Sequence, residues 1–122
     1  MIVPEATIDL APGEHYAGAV LDEQGHVKHH LVLMAAKPDG ELAWQAAMDW
    51  AAAVGGALPT RQEQALLYAN CKPHLEADWH WTNEPEGSSC AWHCNVYNGI
   101  QNYINRSAVG CAVAVRLIPL AA

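Results

Sequence analysis

The stretch WHWTNEPEGSSCAWHC, residues 79–94, sets three tryptophans, two histidines, two cysteines and a Glu-Pro-Glu within sixteen residues. Three chemistries compete for it: a hard cation held by oxygens, a zinc ion held by thiolates and imidazole, and a surface of aromatic rings. Calcium needs several carboxylate and carbonyl oxygens converging on one point. Residues 83–86 supply an amide and two carboxylates around a proline, which predicts a Pro-containing loop with solvated carboxylates rather than a cage. For zinc, Cys90, His93 and Cys94 with Cys71 or Cys111 number four soft donors. Cys-x2-His-Cys is not a common structural spacing, and no second Cys-x2-Cys pair accompanies it. On a strand, moreover, Cys90 and Cys94 share one face while His93 points to the other. No metal and no cofactor are expected, and the thiols are read as small buried hydrophobes.

Nucleophilic catalysis would pair Cys90 or Cys94 with His80 or His93 and an orienting Glu84. Neither thiol lies at a helix N-terminus or a nucleophile elbow that would lower its pKa. The expectation is therefore no catalytic residue. His26, His29 and His30 surround a turn and a strand start. The adjacent pair faces opposite ways on a strand, so solvent exposure rather than metal binding is expected of them.

What remains is a recognition surface. Trp79, Trp81, Trp92, Asn95, Tyr97, Asn98, Asn102, Tyr103 and Asn105 concentrate rings and amides in the C-terminal third of the chain. Rigid rings supply contact area and amides supply adaptable hydrogen bonds. Strand alternation puts Trp92, Cys94 and Val96 on one face and His93, Asn95 and Tyr97 on the other, the second set facing outward.

These residues must be positioned by elements that the pattern names. Residues 1–14 hold two prolines and a glycine without periodicity and read as an arm, with a single domain over 15–122. Residues 16–21 and 30–34 read as strands around a turn at 22–25, a hairpin. Apolar positions recur at helical spacing from Leu42 to Val54, and Gly55-Gly56 stops the helix. Thr60 with Glu63 three residues on is a capping box that starts a second helix ending near Asn70. Short strands follow at 79–82, 91–97, 101–105 and 112–118, with Asn98-Gly99 as a hairpin signal. Strands, two helices and an antiparallel meander make an α+β domain. In that meander Cys94 and Cys111 are expected on neighbouring strands, within reach of a bridge in an oxidising setting.

A chain of 122 residues supports one core. Six Lys plus Arg against thirteen Asp plus Glu give a formal net charge of −7, which disfavours nucleic acid and anionic membranes. No apolar run approaches the roughly 18 residues of a membrane span, and the start lacks a basic segment followed by an apolar one. Membrane insertion and a signal peptide are not expected.

The run GGALPTRQEQALLYAN, followed by WHWT, AWHCNVYNGIQNYIN and a terminal AVAVRLI, resembles the DUF1566 family, also called Lcl C-terminal-like domains. In its small phage and prophage members a similar opening recurs, matched here by Tyr16-Ala17-Gly18 and His29-His30-Leu31. The resemblance covers residues 16–117. It implies a C-type-lectin-like fold in which terminal strands meet, two helices pack on the sheet, and a second small sheet displays the ligand-facing surface. It also implies binding, since related domains tip adhesins that hold sulfated glycans and phage fibres that hold receptors. Enzymes of the formylglycine-generating type share the wider fold, and fold alone does not choose among these. True calcium lectins carry Glu-Pro-Asn and a following Trp-Asn-Asp; here Glu86 replaces the Asn and no such segment follows. An acidic chain whose only arginines are Arg61, Arg106 and Arg116 departs from a binder of sulfated glycans. Arg61 and Arg116 are expected to anchor helix and strand through a carboxylate or a backbone carbonyl, with Glu63 or Asp49 as candidate partners.

The expectation is a non-enzymatic phage or prophage binding domain for a cell-surface glycan or protein receptor, made in the host cytoplasm, carried on a virion and working as a homo-oligomer. The alternative is a small phage accessory protein that binds and inhibits a host protein.

Overall fold

The computed structural model describes residues 2–3 and 6–120. Of the N-terminal segment read as an arm, residues 1, 4 and 5 lie outside the described residues. Strands β1 (Ile2–Val3) and β2 (Ala6–Thr7) form a two-residue antiparallel ladder. Ile8 beyond them is buried.

Strands β3 (His15–Leu21) and β4 (Val27–Leu33) form the first hairpin. Asp22 closes its turn by accepting the backbone N–H groups of Gln24 and His26, both at 2.9 Å. Leu31, Val32 and Leu33 are consecutive and all buried, so β4 is covered on both faces and must be a central strand. Its second neighbour is the terminal strand. The first sheet is thus β3-β4-β8, with β8 (Val115–Pro119) antiparallel to β4. This corrects the meander, in which the last strand was expected beside the segment at 101–105. The apolar run of β4 claims it instead.

Helix α1 (Trp44–Ala53) buries Trp44, Ala47 and Ala51, one face at three- and four-residue spacing. Helix α2 (Arg61–Cys71) starts at the expected capping box: Thr60 Oγ1 accepts the Glu63 N–H at 3.0 Å, and Glu63 Oε1 accepts the Thr60 N–H at 2.9 Å. The second sheet is β5-β6-β7, built from β5 (Trp79–Glu86), β6 (Cys90–Asn95) and β7 (Gln101–Asn105). Residues 83–86, expected in a loop, belong to β5. A register shift between Trp81 and Pro85 absorbs the proline, as a bulge permits.

The domain is therefore α+β, with two helices and two antiparallel three-stranded sheets. Its core has two parts. Ala17, Val20, Leu31, Leu33 and Leu67 pack with Val113 and Val115 between the first sheet and α2. Trp44, Ala47, Ala51 and Leu58 pack with Trp81, Ala91, Ala112 and Ala114 between α1 and the second sheet.

Arg116 fastens the N-terminal segment to β8. Its Nε and Nη2 donate to the Glu14 carboxylate at 2.7–3.2 Å, and Nη2 also donates to the Asp9 carbonyl at 2.6 Å. Neither Glu63 nor Asp49 is its partner. Glu63 instead takes His29, whose Nε2 lies 2.8 Å from Oε2. His30, expected at the surface, is buried and bonded through Nδ1 to the Tyr16 hydroxyl at 2.7 Å. A central strand has little solvent-facing surface, which is why both β4 histidines found partners.

Candidate functional site

The β6–β7 hairpin is where exposed apolar side chains gather. Tyr97 is 73% exposed, Ile100 61% and Tyr103 48%, values unlike those of ordinary core formers. A five-residue loop, 96–100, joins the strands, longer than the two-residue turn that Asn98-Gly99 suggested. Its shape is set locally. Asn95 Oδ1 accepts the Tyr97 N–H at 2.9 Å and Asn98 Oδ1 accepts the Ile100 N–H at 3.0 Å. Gly99 has φ +78°, and an added Cβ would lie 2.7 Å from the Tyr68 ring of α2, so only glycine fits where the loop rests on the helix. At the far end, Asn105 Oδ1 accepts from Ser107 N and Oγ at 2.9 and 2.7 Å.

Asn95, Asn98, Asn102 and Asn105 each commit Oδ1 to a neighbouring N–H, and their Nδ2 groups have no hydrogen-bond partner among the described residues. The hairpin is thus braced from within, and Asn98, Asn102 and Asn105 carry unpaired amide donors at exposed positions.

Strand register divides the expected site between two faces. Trp81 pairs with His93 and His93 with Asn102, all on the face toward α1. Trp92 pairs with Tyr103, on the opposite face. Trp81, expected in the recognition surface, has no solvent exposure, and its Nε1 donates to the Leu42 carbonyl at 2.8 Å. It is a core residue, because the α1 side of the sheet is where the second apolar cluster forms. Trp79 stands edge-on to Trp81 at 5.0 Å and packs with that cluster. His93, expected outward, is held against Trp79 at 4.8 Å; burial lowers its pKa, and its buried Nδ1 has no hydrogen-bond partner.

On the other face a second cluster forms that the spacing did not reveal. The Arg61 guanidinium lies 3.5 Å from the Trp92 ring centroid, with Tyr103 edge-on to the same indole at 5.0 Å. Arg61 Nε donates to Gln101 Oε1 at 3.0 Å, and Gln101 Nε2 donates back to the Arg61 carbonyl at 2.7 Å. Arg61 and Gln101 are forty residues apart in sequence and joined only by folding. The surface that the structure assembles is therefore Trp92, Tyr97, Asn98, Tyr103 and Asn105 with Arg61, Gln101 and Ile100 added. Trp79 and Trp81 are withdrawn from it, and so are Asn95, which pairs with Trp79, and Asn102, which pairs with His93, both on the α1 side of the ladder.

The Glu-Pro-Glu carboxylates are occupied within the domain. Glu84 Oε2 accepts the first backbone N–H of α2, from Arg61, at 2.7 Å, and Glu86 Oε2 accepts the Trp92 indole N–H at 3.0 Å. Among the thiols, burial pushes up the pKa of Cys71 and Cys94, and pushes Cys111 up to about 11 with Asp78, Glu41 and Glu76 adding to it. These are protonated, unactivated thiols at neutral pH. Cys94 and Cys111 flank His80 on opposite sides, one in the ladder and one in a parallel bridge. Two strand spacings separate them by roughly 10 Å, beyond the ~7 Å limit for a disulfide. All four cysteines are free. A different donor set is assembled at Glu41, Asp78 and Cys111, whose ligand atoms lie within 4.8 Å of one another.

No helix among the described residues is long and apolar enough to cross a membrane. Compared with known protein families the chain matches no family model, and compared with curated proteins it finds no match.

Proposed function

We propose that this chain is a non-enzymatic, lectin-like recognition domain of the DUF1566 kind, of phage or prophage origin, that binds a cell-surface glycan through the β6–β7 hairpin. The observation that carries this reading is the pairing of exposed rings with exposed amide donors on a braced loop. Sugars present C–H faces that stack on rings and hydroxyl or ring oxygens that accept hydrogen bonds. A surface rich in donors and poor in charge matches such a ligand, and its uncharged strand QNYIN suits an otherwise acidic chain that must approach a cell surface. Arg61 on Trp92 adds one cation at the edge, which favours a sugar bearing a carboxylate over a heavily sulfated polymer. Weak single sites of this kind gain from several copies held together, which supports a homo-oligomer.

A second reading rests on a separate observation. β7 pairs only with β6 among the described residues, so its outer edge offers main-chain groups to another polypeptide. That edge supports the accessory-protein alternative, in which a host protein is the partner.

A glycan array run beside a host-lysate pull-down distinguishes the two. The first reading expects saturable glycan binding that Tyr97→Ala weakens about tenfold, roughly 1.4 kcal/mol, without lowering the melting temperature, because this ring is solvent-exposed. Glycan binding indifferent to Tyr97 and Tyr103 would remove the hairpin from the site. Silence on the array with a stoichiometric protein partner in the pull-down would favour the second reading.

A further inference from the structure

We propose that Glu41, Asp78 and Cys111 bind a divalent transition-metal ion of the zinc class, in a cavity that His80 also lines. The cavity is about 590 Å³ and lies away from the β6–β7 hairpin. The ligand atoms of Glu41, Asp78 and Cys111 are mutually within 4.8 Å, the separation from which one ion can gather them.

Each ligand sits beside backbone that the fold clamps. Leu42, next to Glu41, exchanges hydrogen bonds with Gly110, both at 2.9 Å, and Gly110 immediately precedes Cys111. Cys111 is itself tied to β5: its carbonyl accepts from Trp81 at 3.0 Å and its N–H donates to Trp79 at 3.2 Å. Asp78 is the residue before β5, and its Oδ1 accepts the Trp79 N–H at 2.8 Å. Three segments distant in sequence are thus held in one place before any ion arrives, which reduces the ordering cost of binding.

His80 is the independent sign that the cavity takes a ligand. It is 99% buried by its 1% exposure, lines the cavity, and hydrogen-bonds through Nδ1 to the Asp78 carbonyl at 3.0 Å. A carbonyl only accepts, so the proton is on Nδ1 and the lone pair is on Nε2, which has no hydrogen-bond partner among the described residues. A nitrogen of a buried ring left without a partner marks the cavity as one that takes a polar or cationic ligand. Lys37 also lines the cavity, but its Nζ is drawn to the His74 carbonyl at 3.2 Å, and the carboxylates of Asp39, Glu41, Glu76 and Asp78 outnumber it.

The donor set selects the metal class. A thiolate with two carboxylates suits zinc and cobalt rather than calcium or magnesium, which take oxygen alone. Binding must displace the Cys111 proton, so one proton leaves to solvent as the sulfur–metal bond forms.

The test titrates the reduced full chain with Co²⁺ and then Zn²⁺. Expected are one equivalent of Co²⁺ with a near-ultraviolet sulfur-to-cobalt charge-transfer band, its displacement by Zn²⁺, and an affinity that rises about tenfold per pH unit while the thiol is the group losing its proton. Cys111→Ser abolishes the band, and Asp78→Asn and Glu41→Gln, at exposed positions, weaken Zn²⁺ binding at least about tenfold. No saturable Zn²⁺ binding at millimolar metal, or a charge-transfer band that survives Cys111→Ser, would overturn the proposal. Should Cys111→Ser fail to fold, unchanged Zn²⁺ affinity in both carboxylate variants would overturn it equally.

Discussion

Arg116 illustrates what one residue can reveal and what it withholds. Its place in a closing apolar strand marks it as an anchor, yet its partner Glu14 is 102 residues away, a separation that no local pattern encodes. The fork of the guanidinium meets the carboxylate at two points, which makes the pair stronger than a single contact. Hydrogen bonding to Arg116 holds the Glu14 carboxyl below its ordinary value of 4.5. A carboxylate whose pKa falls on folding stabilises the native state above its unfolded pKa, and that contribution disappears as pH falls through the lower, folded value. Glu14→Gln is therefore expected to cost about 2 kcal/mol at neutral pH, the range for a hydrogen bond to a charged group. Urea melts at a series of pH values check this: the gap between the two proteins should close below pH 4.5, and a gap that stays constant would mean that Glu14 acts through packing alone.

Elements were legible where their signals are local. The first hairpin, both helices and β7 follow from turn residues, apolar spacing and a capping box that lie within the segment concerned. The capping box is also testable by itself. Thr60→Ala removes the acceptor for the Glu63 N–H and should cost about 1 kcal/mol, whereas Thr60→Ser should retain most of it. Equal losses in the two variants, measured from chemical denaturation, would assign the effect to the threonine methyl rather than the cap. Less legible was anything that depends on which elements become neighbours. The partner of β8, the continuation of β5 through Pro85 and the burial of Trp81 all depend on what packs against a strand, and strand alternation names two faces without saying which one a helix will cover. The candidate site suffered most from this. The sequence groups Trp79, Trp81 and Trp92 in one surface, but the ladder sends Trp81 to the α1 side and Trp92 to Arg61. The Glu41, Asp78 and Cys111 group was invisible because its members come from three segments with no shared motif.

At the scale of the molecule, the two core clusters meet along the segment 112–115. Ala112 and Ala114 face the cluster under α1, while Val113 and Val115 face the one under α2, so a single extended stretch alternates between them. The stretch is fixed on both sides by backbone bonds: Met34 N–H donates to the Ala114 carbonyl at 2.9 Å, and Val115 and Ala57 exchange bonds at 2.8 and 3.0 Å. Loosening either cluster shifts a strand that the other also uses, which predicts that the domain unfolds as one unit. The tryptophans make this measurable. Trp44 and Trp81 belong to the α1 cluster and Trp50 and Trp79 pack against it, while the α2 cluster contains none and Trp92 lies outside both on Arg61, so tryptophan fluorescence reports chiefly on one half. Leu67→Ala, in the other half, leaves a cavity and should cost about 2–5 kcal/mol. Cooperative unfolding requires the fluorescence midpoint to fall as far as the midpoint from far-ultraviolet circular dichroism, although no tryptophan touches the altered site within its cluster. A fluorescence transition left at its original midpoint, with only the circular dichroism shifted, would mean that the segment 112–115 joins the halves in space without coupling them in energy.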